Sequence, residues 1–360
     1  MAKRVLVCPL DWGLGHATRC AGLINQLVDS GFEVIVGADK APLHFLRQYF
    51  PRLPYILIPS KTIKYPKNGS LMPLKMLVSL PGILRSIARE HSLLKIVLKV
   101  NQIDVVISDN RFGLWNKSVY CIFITHQLQV IMPRGLRFLQ QIISKINYWF
   151  IGKYNECWIS DAEGKINLAG KLSHPHKVPA NSFYIGTLSR FGNGFGKLDS
   201  GVSLIDFDIL VLLSGPEPQR SILEKIILLQ IDSLPGKCLF VQGKPEENAF
   251  AESPKLTLVS HLKSENLGFL IKSTPIVIAR SGYSSIMDFV ALKKHVILIP
   301  TPGQTEQEYL ADYLMEKNWF YSVKQNGLNL AHAIESYKNF SFENFPELSG
   351  SLNERLTNLI

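Results

Sequence analysis

Short runs of consecutive apolar residues alternate along this chain with longer stretches whose apolar positions recur every three or four residues. That pattern predicts parallel strands buried on both faces and joined by crossover helices. Residues 4–9 form one such run, residues 17–30 have a helical spacing that Gly31 stops, and residues 33–37 are apolar again. Residues 55–58, 104–108, 120–125 and 156–160 read as further buried strands with room between them for helices. A second series opens at residue 208, with strands over 208–213, 237–242, 256–260, 275–279 and 295–300 and helices over 219–231 and 284–291. The order is α/β throughout. The expected architecture is two Rossmann-like, doubly wound domains facing a central cleft at the carboxyl ends of their strands.

Length agrees with two domains, because 360 residues exceed the size at which a single core stops growing. Residues 189–203, SRFGNGFGKLDSGVS, are rich in glycine and poor in apolar side chains. The expected division is an N-terminal Rossmann-like domain over 1–190, a linker over 191–207, a C-terminal Rossmann-like domain over 208–335 and a tail over 336–360 packing back on the N-terminal domain. Hydrophobic residues at 46% and charged residues at 19% exclude a disordered chain, and no apolar run reaches the length of a membrane span. No signal-peptide pattern is seen at the N-terminus, and the five cysteines are scattered and never in a CxxC pair, so a cytoplasmic protein without structural zinc is expected.

The net charge of +10 is unevenly spread: residues 1–190 carry 24 basic and 10 acidic side chains, residues 191–360 carry 15 and 19. The first half therefore suits an anionic partner such as a membrane surface, a phosphorylated acceptor or nucleic acid, although no basic recognition motif supports the last. Within residues 82–100, Arg85, Arg89, Lys95 and Lys99 fall on one third of a helical circumference. Leu136, Phe138, Leu139 and Trp149 lie near Arg134 and Arg137, and the two groups together suit peripheral contact with anionic lipid; a merely solvated helix face is the alternative.

Candidate chemistry sits in four loops. DWGLGH at 11–16 follows the first strand and opens the first helix, where Gly13 and Gly15 let a ligand approach the helix N-terminus. Thr18 stands where a dinucleotide fingerprint needs its third glycine, so NAD or FAD binding is not expected. His16 is placed to take a proton, or else simply to cap the helix. Arg190 closes the first half, where a guanidinium can pair with a diphosphate or lie in a surface loop. ARSGYSSIMD at 279–288 runs from an apolar strand into a helix, so Ser281, Gly282, Ser284 and Ser285 lie where unpaired N–H groups meet phosphate oxygens. Asp288, one turn further, can accept from ribose hydroxyls, or serve as a dipole-favoured acid. Glu306 and Gln307 in IPTPGQTEQEY at 299–309 suit sugar hydroxyls, while Thr305 and Glu308 also fit a capping box.

In this order the motifs resemble those of glycosyltransferases with two facing Rossmann-like domains, the GT-B fold. They resemble most the subgroup containing the N-acetylglucosaminyltransferase that completes the lipid-linked peptidoglycan precursor. The resemblance covers the opening loop, residues 186–190 and most of residues 208–317. It implies that Gly13 to His16 face acceptor and donor phosphates, that Arg190 contacts the diphosphate and that Asp288 binds ribose. It also implies that Ser214 and Gly215 lie against phosphate, that His261 and Leu262 recognise uracil and that Glu306 and Gln307 touch the transferred sugar. The opening loop departs from that subgroup in carrying Asp11 and Trp12 in place of glycine, and GLGHATRC is closer to related UDP-sugar hydrolases.

The reaction expected is an inverting, metal-independent displacement from a nucleotide diphosphate sugar, UDP-linked, to a hydroxyl acceptor that is lipid-linked in the resembled subgroup. His16 acts as base with Asp11 or Asp109 assisting, and no cofactor is needed. The lone DxD, Asp206-Phe207-Asp208, reads as structural. A UDP-sugar hydrolase, a nucleotide-sugar epimerase of the same fold and a non-catalytic binding protein stand as alternatives.

Overall fold

The computed structural model describes residues 2–60, 72–192 and 207–359. The residues expected to form the linker lie almost wholly outside these, as does most of the polar stretch 61–73. Two units result: one runs up to Ser189 and also takes in Pro346–Ile360, and the other is Arg190–Phe345.

The first unit contains β1 (Arg4–Cys8), α1 (Leu14–Asp29), β2 (Glu33–Ala38), α2 (Lys40–Tyr49), β3 (Tyr55–Leu57), α3 (Met72–Val100), β4 (Val105–Asp109), β5 (Tyr120–Thr125), α4 (Gln140–Ile151), β6 (Glu156–Ile159) and β7 (Ser182–Tyr184). Its strands are parallel in the order β3-β2-β1-β4-β5-β6-β7. Their side chains are apolar on both faces because helices cover both, and Leu6, Val106, Phe123 and Cys157 are fully buried. The strand order reverses between β1 and β4, which opens a crevice beyond their carboxyl ends.

In the second unit are β8 (Ile209–Leu212), α5 (Gln219–Leu228), β9 (Cys238–Val241), β10 (Phe250–Glu252), β11 (Leu256–Val259), α6 (Ser264–Ser273), β12 (Ile276–Ala279), α7 (Tyr283–Ala291), β13 (Ile297–Leu298), α8 (Thr305–Glu316), β14 (Tyr321–Ser322) and α9 (Leu330–Lys338). The order is β10-β11-β9-β8-β12-β13-β14, with only β10 antiparallel to its neighbour. Here the reversal falls between β8 and β12, so the loops after those strands border the crevice. Together the two sheets give the doubly wound α/β architecture that the hydrophobic pattern predicts.

The tail divides ten residues later than residue 335. Phe342 and Phe345 stack on His295 at centroid distances of 4.4 and 4.5 Å, which binds the aromatic segment to the second unit. From Pro346 the chain belongs to the first unit, where α10 (Leu352–Leu359) buries Leu352, Leu356 and Leu359. Gly350 passes against Gly186 so closely that a Cβ there would collide with the Gly186 backbone, and Ser351 N donates to the Tyr184 carbonyl at 3.0 Å. Among the described residues no helix is long and apolar enough to cross a membrane.

Candidate functional site

The first cluster lies at the crevice of the first sheet. Gly13 takes φ +101°, a conformation costly for other residues, and serves as N-cap of α1. The helix consequently begins at Leu14 rather than near Ala17, and Gly15 and His16 form its first turn. His16 Nδ1 lies 3.1 Å from Asp109 Oδ1 at the end of β4. Asp109 is fully buried. Burial works against its charge, but the Arg19 guanidinium and His16 beside it outweigh burial and hold the carboxyl well below the usual carboxylate range. A carboxylate so held fixes the imidazole ring and leaves Nε2 to exchange a proton.

Of the two acids expected to assist His16, the structure therefore brings in Asp109. Asp11 is buried, with its carboxylate 3.7 Å from Lys40 Nζ. Arg19 went unnoticed in the sequence although it stands three residues after His16, the spacing of neighbours on one helix face. It is 1% exposed and donates from Nε to Asp109 Oδ2 at 3.1 Å.

The second cluster surrounds the N-terminus of α7. Gly282 is the N-cap, no side chain caps the helix, and the space where its Cβ would stand is open. The N–H groups of Tyr283, Ser284 and Ser285 in the first turn have no carbonyl one turn back within the helix, and the helix dipole adds to their pull on an anion. Ser281 is fully buried and its hydroxyl donates to the Gln307 carbonyl at 2.9 Å, a structural role rather than an open phosphate contact.

Arg280, which sequence reading passed over inside its motif, is 1% exposed. It donates to the carbonyls of Ile299, Pro300 and Gln219 at 3.2, 3.2 and 2.8 Å. Its Nε has no hydrogen-bond partner, and burial pushes the guanidinium down to about 10. One cation thus ties the start of α5, the end of β12 and the loop after β13 together, and its charge raises the local potential for an anion.

Arg190 is counted with the second unit, not the first. Its Nε donates to Asp288 Oδ2 at 3.1 Å and its Nη1 to Ser264 Oγ at 3.4 Å. The two side chains assigned by resemblance to diphosphate and ribose are thus engaged with one another, and both are largely buried. Ser264 is the first residue of α6, so this arginine also reaches the segment of His261 and Leu262, both half-buried. Ser214 is half-buried and Gly215 exposed in the loop after β8, with Gly215 at φ +100° and open space beside it.

The loop after β13 differs from expectation. Gln307 is buried, and its Oε1 accepts from Thr301 N at 2.9 Å, so its amide braces the loop. Glu306 remains half-buried. No capping box centred on Thr305 forms, since α8 has Gln304 as N-cap; Glu308 reaches back to Gly303 N at 2.8 Å instead. Gln304 Oε1 is buried without a partner, an acceptor that sequence reading missed. Asp208, the described end of the DxD, accepts from Lys237 N at 2.7 Å and supports a turn.

Residues 245–354 match the glycosyltransferase family 28 C-terminal domain. A protein of Methanosarcina acetivorans described as an uncharacterized glycosyltransferase is 24% identical over 331 residues, covering 88% of this chain and 84% of that protein. Among solved structures, the glycosyltransferase SnogD from Streptomyces nogalater superposes with a TM-score of 0.57 at 13% identity, over 100% of this chain and 94% of that one. The S. aureus MnaA-UDP co-structure gives 0.63 at 12%, over 99% and 98%, and likenesses at such identities are of fold alone. The chain therefore has the GT-B fold and is a glycosyltransferase whose residues 245–354 match the family 28 C-terminal domain.

Proposed function

We propose that the chain transfers a hexose or N-acetylhexosamine from a nucleoside diphosphate donor, UDP-linked, to a hydroxyl acceptor, with inversion and without a metal ion. The observation that supports this most is the cluster at Gly282. It combines an uncapped helix N-terminus with a buried arginine bonded only to carbonyls and an arginine–carboxylate pair at its flank. A guanidinium has five N–H donors and a carboxylate several lone-pair positions. Arg190 and Asp288 can therefore hold each other while the first takes a diphosphate oxygen and the second a ribose hydroxyl. In this reading Glu306, half-buried in the loop after β13, meets a sugar hydroxyl.

In this reading the first unit supplies the base. His16 Nε2 removes the acceptor proton, the acceptor oxygen bonds to the anomeric carbon from the face opposite the diphosphate, and the bond to the diphosphate breaks. The departing negative charge is met by the α7 N-terminus, Arg190 and Arg280 rather than by a divalent cation. A donor screen that records nucleotide and sugar products separately tests the class of reaction. The expected outcome is a UDP-sugar that persists alone and yields UDP with acceptor. Free sugar without acceptor means hydrolysis, and an isomer still linked to UDP means epimerisation.

The acceptor in this proposal is presented at an anionic membrane, on the cytoplasmic side. Phe138, Ile142, Ile146 and Trp149 are 71, 53, 52 and 59% exposed and recur at helical spacing on the face of α4 and the turn before it. Residues 110–155 contain no Asp or Glu, Arg137 and Lys145 are exposed on the same segment as the stripe, and Arg85, Arg89, Lys95 and Lys99 are exposed on α3. Apolar side chains among cations suit lipid tails beneath anionic headgroups. The protein is expected to float with phosphatidylglycerol vesicles at low salt and to release as salt rises, and Ile142→Glu with Trp149→Glu should remain at the bottom of the gradient. Equal flotation of that variant ends the assignment of this face.

A further inference from the structure

His16 and Asp109 do not form an isolated pair. The Arg19 guanidinium lies against the carboxylate, with Nε 3.1 Å from Oδ2 and Nη2 in close contact with Oδ1. The same Nη2 is 3.1 Å from His16 Nδ1. On its far side Nη1 is 2.9 Å from His126 Nδ1, just beyond β5, and 3.3 Å from Ser160 Oγ, just beyond β6. Arginine keeps its protons, so Nη1 donates to His126, which accepts at Nδ1 and is neutral there. Nη2 carries two N–H groups, one for Oδ1 and one facing His16 Nδ1, so Nδ1 either accepts from Nη2 or donates to Oδ1; the second arrangement is the one taken here, with a positive charge 3.1 Å from the imidazole.

A carboxylate alone beside a histidine favours the imidazolium, which cannot act as a base; a cation at the same distance opposes it. In the loop before α1 the Asp11 carboxylate lies 3.7 Å from Lys40 Nζ, and the Cys20 thiol on Asp109 Oδ2 is pushed well up by burial and stays protonated.

We propose that Arg19 is a positioning residue for His16, offsetting the charge of Asp109 so that the carboxylate orients the imidazole through Nδ1 while Nε2 stays unprotonated. His126 and Ser160 anchor the guanidinium in that place. This inference rests on the reading of His16 as the base, and its test needs no substrate. In protein labelled with 15N-histidine, His16 is identified among the nine histidines by its loss in His16→Gln. The wild type is expected to show the neutral Nδ1–H tautomer. Arg19→Gln is expected to move the His16 titration midpoint upward by about one pH unit or more, since an uncompensated charge within ~4–6 Å has that size of effect.

If Asp109 left alone in the core prevents folding, Asp109→Asn and the double variant Arg19→Gln/Asp109→Asn carry the test, because the double leaves neither charge unopposed. Asp109→Asn should lower the midpoint and the double should bring it back up. An Nε2–H tautomer in the wild type overturns the proposal, as do midpoints that ignore Arg19 in both backgrounds. A midpoint that responds as described, together with unaltered turnover in a His16 variant, leaves the charge balance standing and removes only the base.

Discussion

Asp288→Ala is expected to destabilise the second unit by about 3–5 kcal/mol, the usual cost of removing one partner from a buried ion pair. Arg190 and Asp288 have side chains only 11% and 6% exposed, so the arginine left behind has little water to turn to. Urea unfolding followed by tryptophan fluorescence measures the loss. Arg190→Met with Asp288→Leu removes both charges and should recover most of that stability, because no ion then remains unpaired. Nucleotide binding should not return with it. The pair is thereby separated into a structural contribution, which apolar side chains can replace, and a ligand-binding one, which they cannot.

The second large effect concerns turnover. His16→Ala should lower kcat roughly 10²- to 10⁴-fold, the range for losing a general base, while leaving UDP affinity unchanged. His16 belongs to the first unit and the nucleotide is assigned to the second, so binding and chemistry are expected to part. Turnover equal to that of the wild type would remove the base assignment.

The strands were the most legible part of the fold because they are buried on both faces: the run at residues 120–125 forms β5 with those bounds. Elements built on other patterns escaped. In β10 all three residues are exposed, and it joins the sheet only as an antiparallel edge, so no apolar run announces it. α2 carries Pro42 in its first turn, which hides a helix that Asp39 nonetheless caps through Lys40 N.

At the candidate site, His16 and Asp109 were legible because each closes or follows a strand at the sheet's reversal point. The buried arginines were not, since Arg19 and Arg280 take their meaning from partners as distant in sequence as Ser160 and Gln219. Gln307 hid its partner for the same reason. Its residue type suits a sugar hydroxyl, but its fold position turns the amide to Thr301 N.

Titrating UDP calorimetrically into the wild type and into the Arg190→Met/Asp288→Leu variant is the shortest route to the core of this account. Binding to the first and at least a tenfold weaker affinity for the second are expected, with both proteins folded. No heat of binding with the wild type, or equal affinities, would contradict the placement of a nucleoside diphosphate at the start of α7.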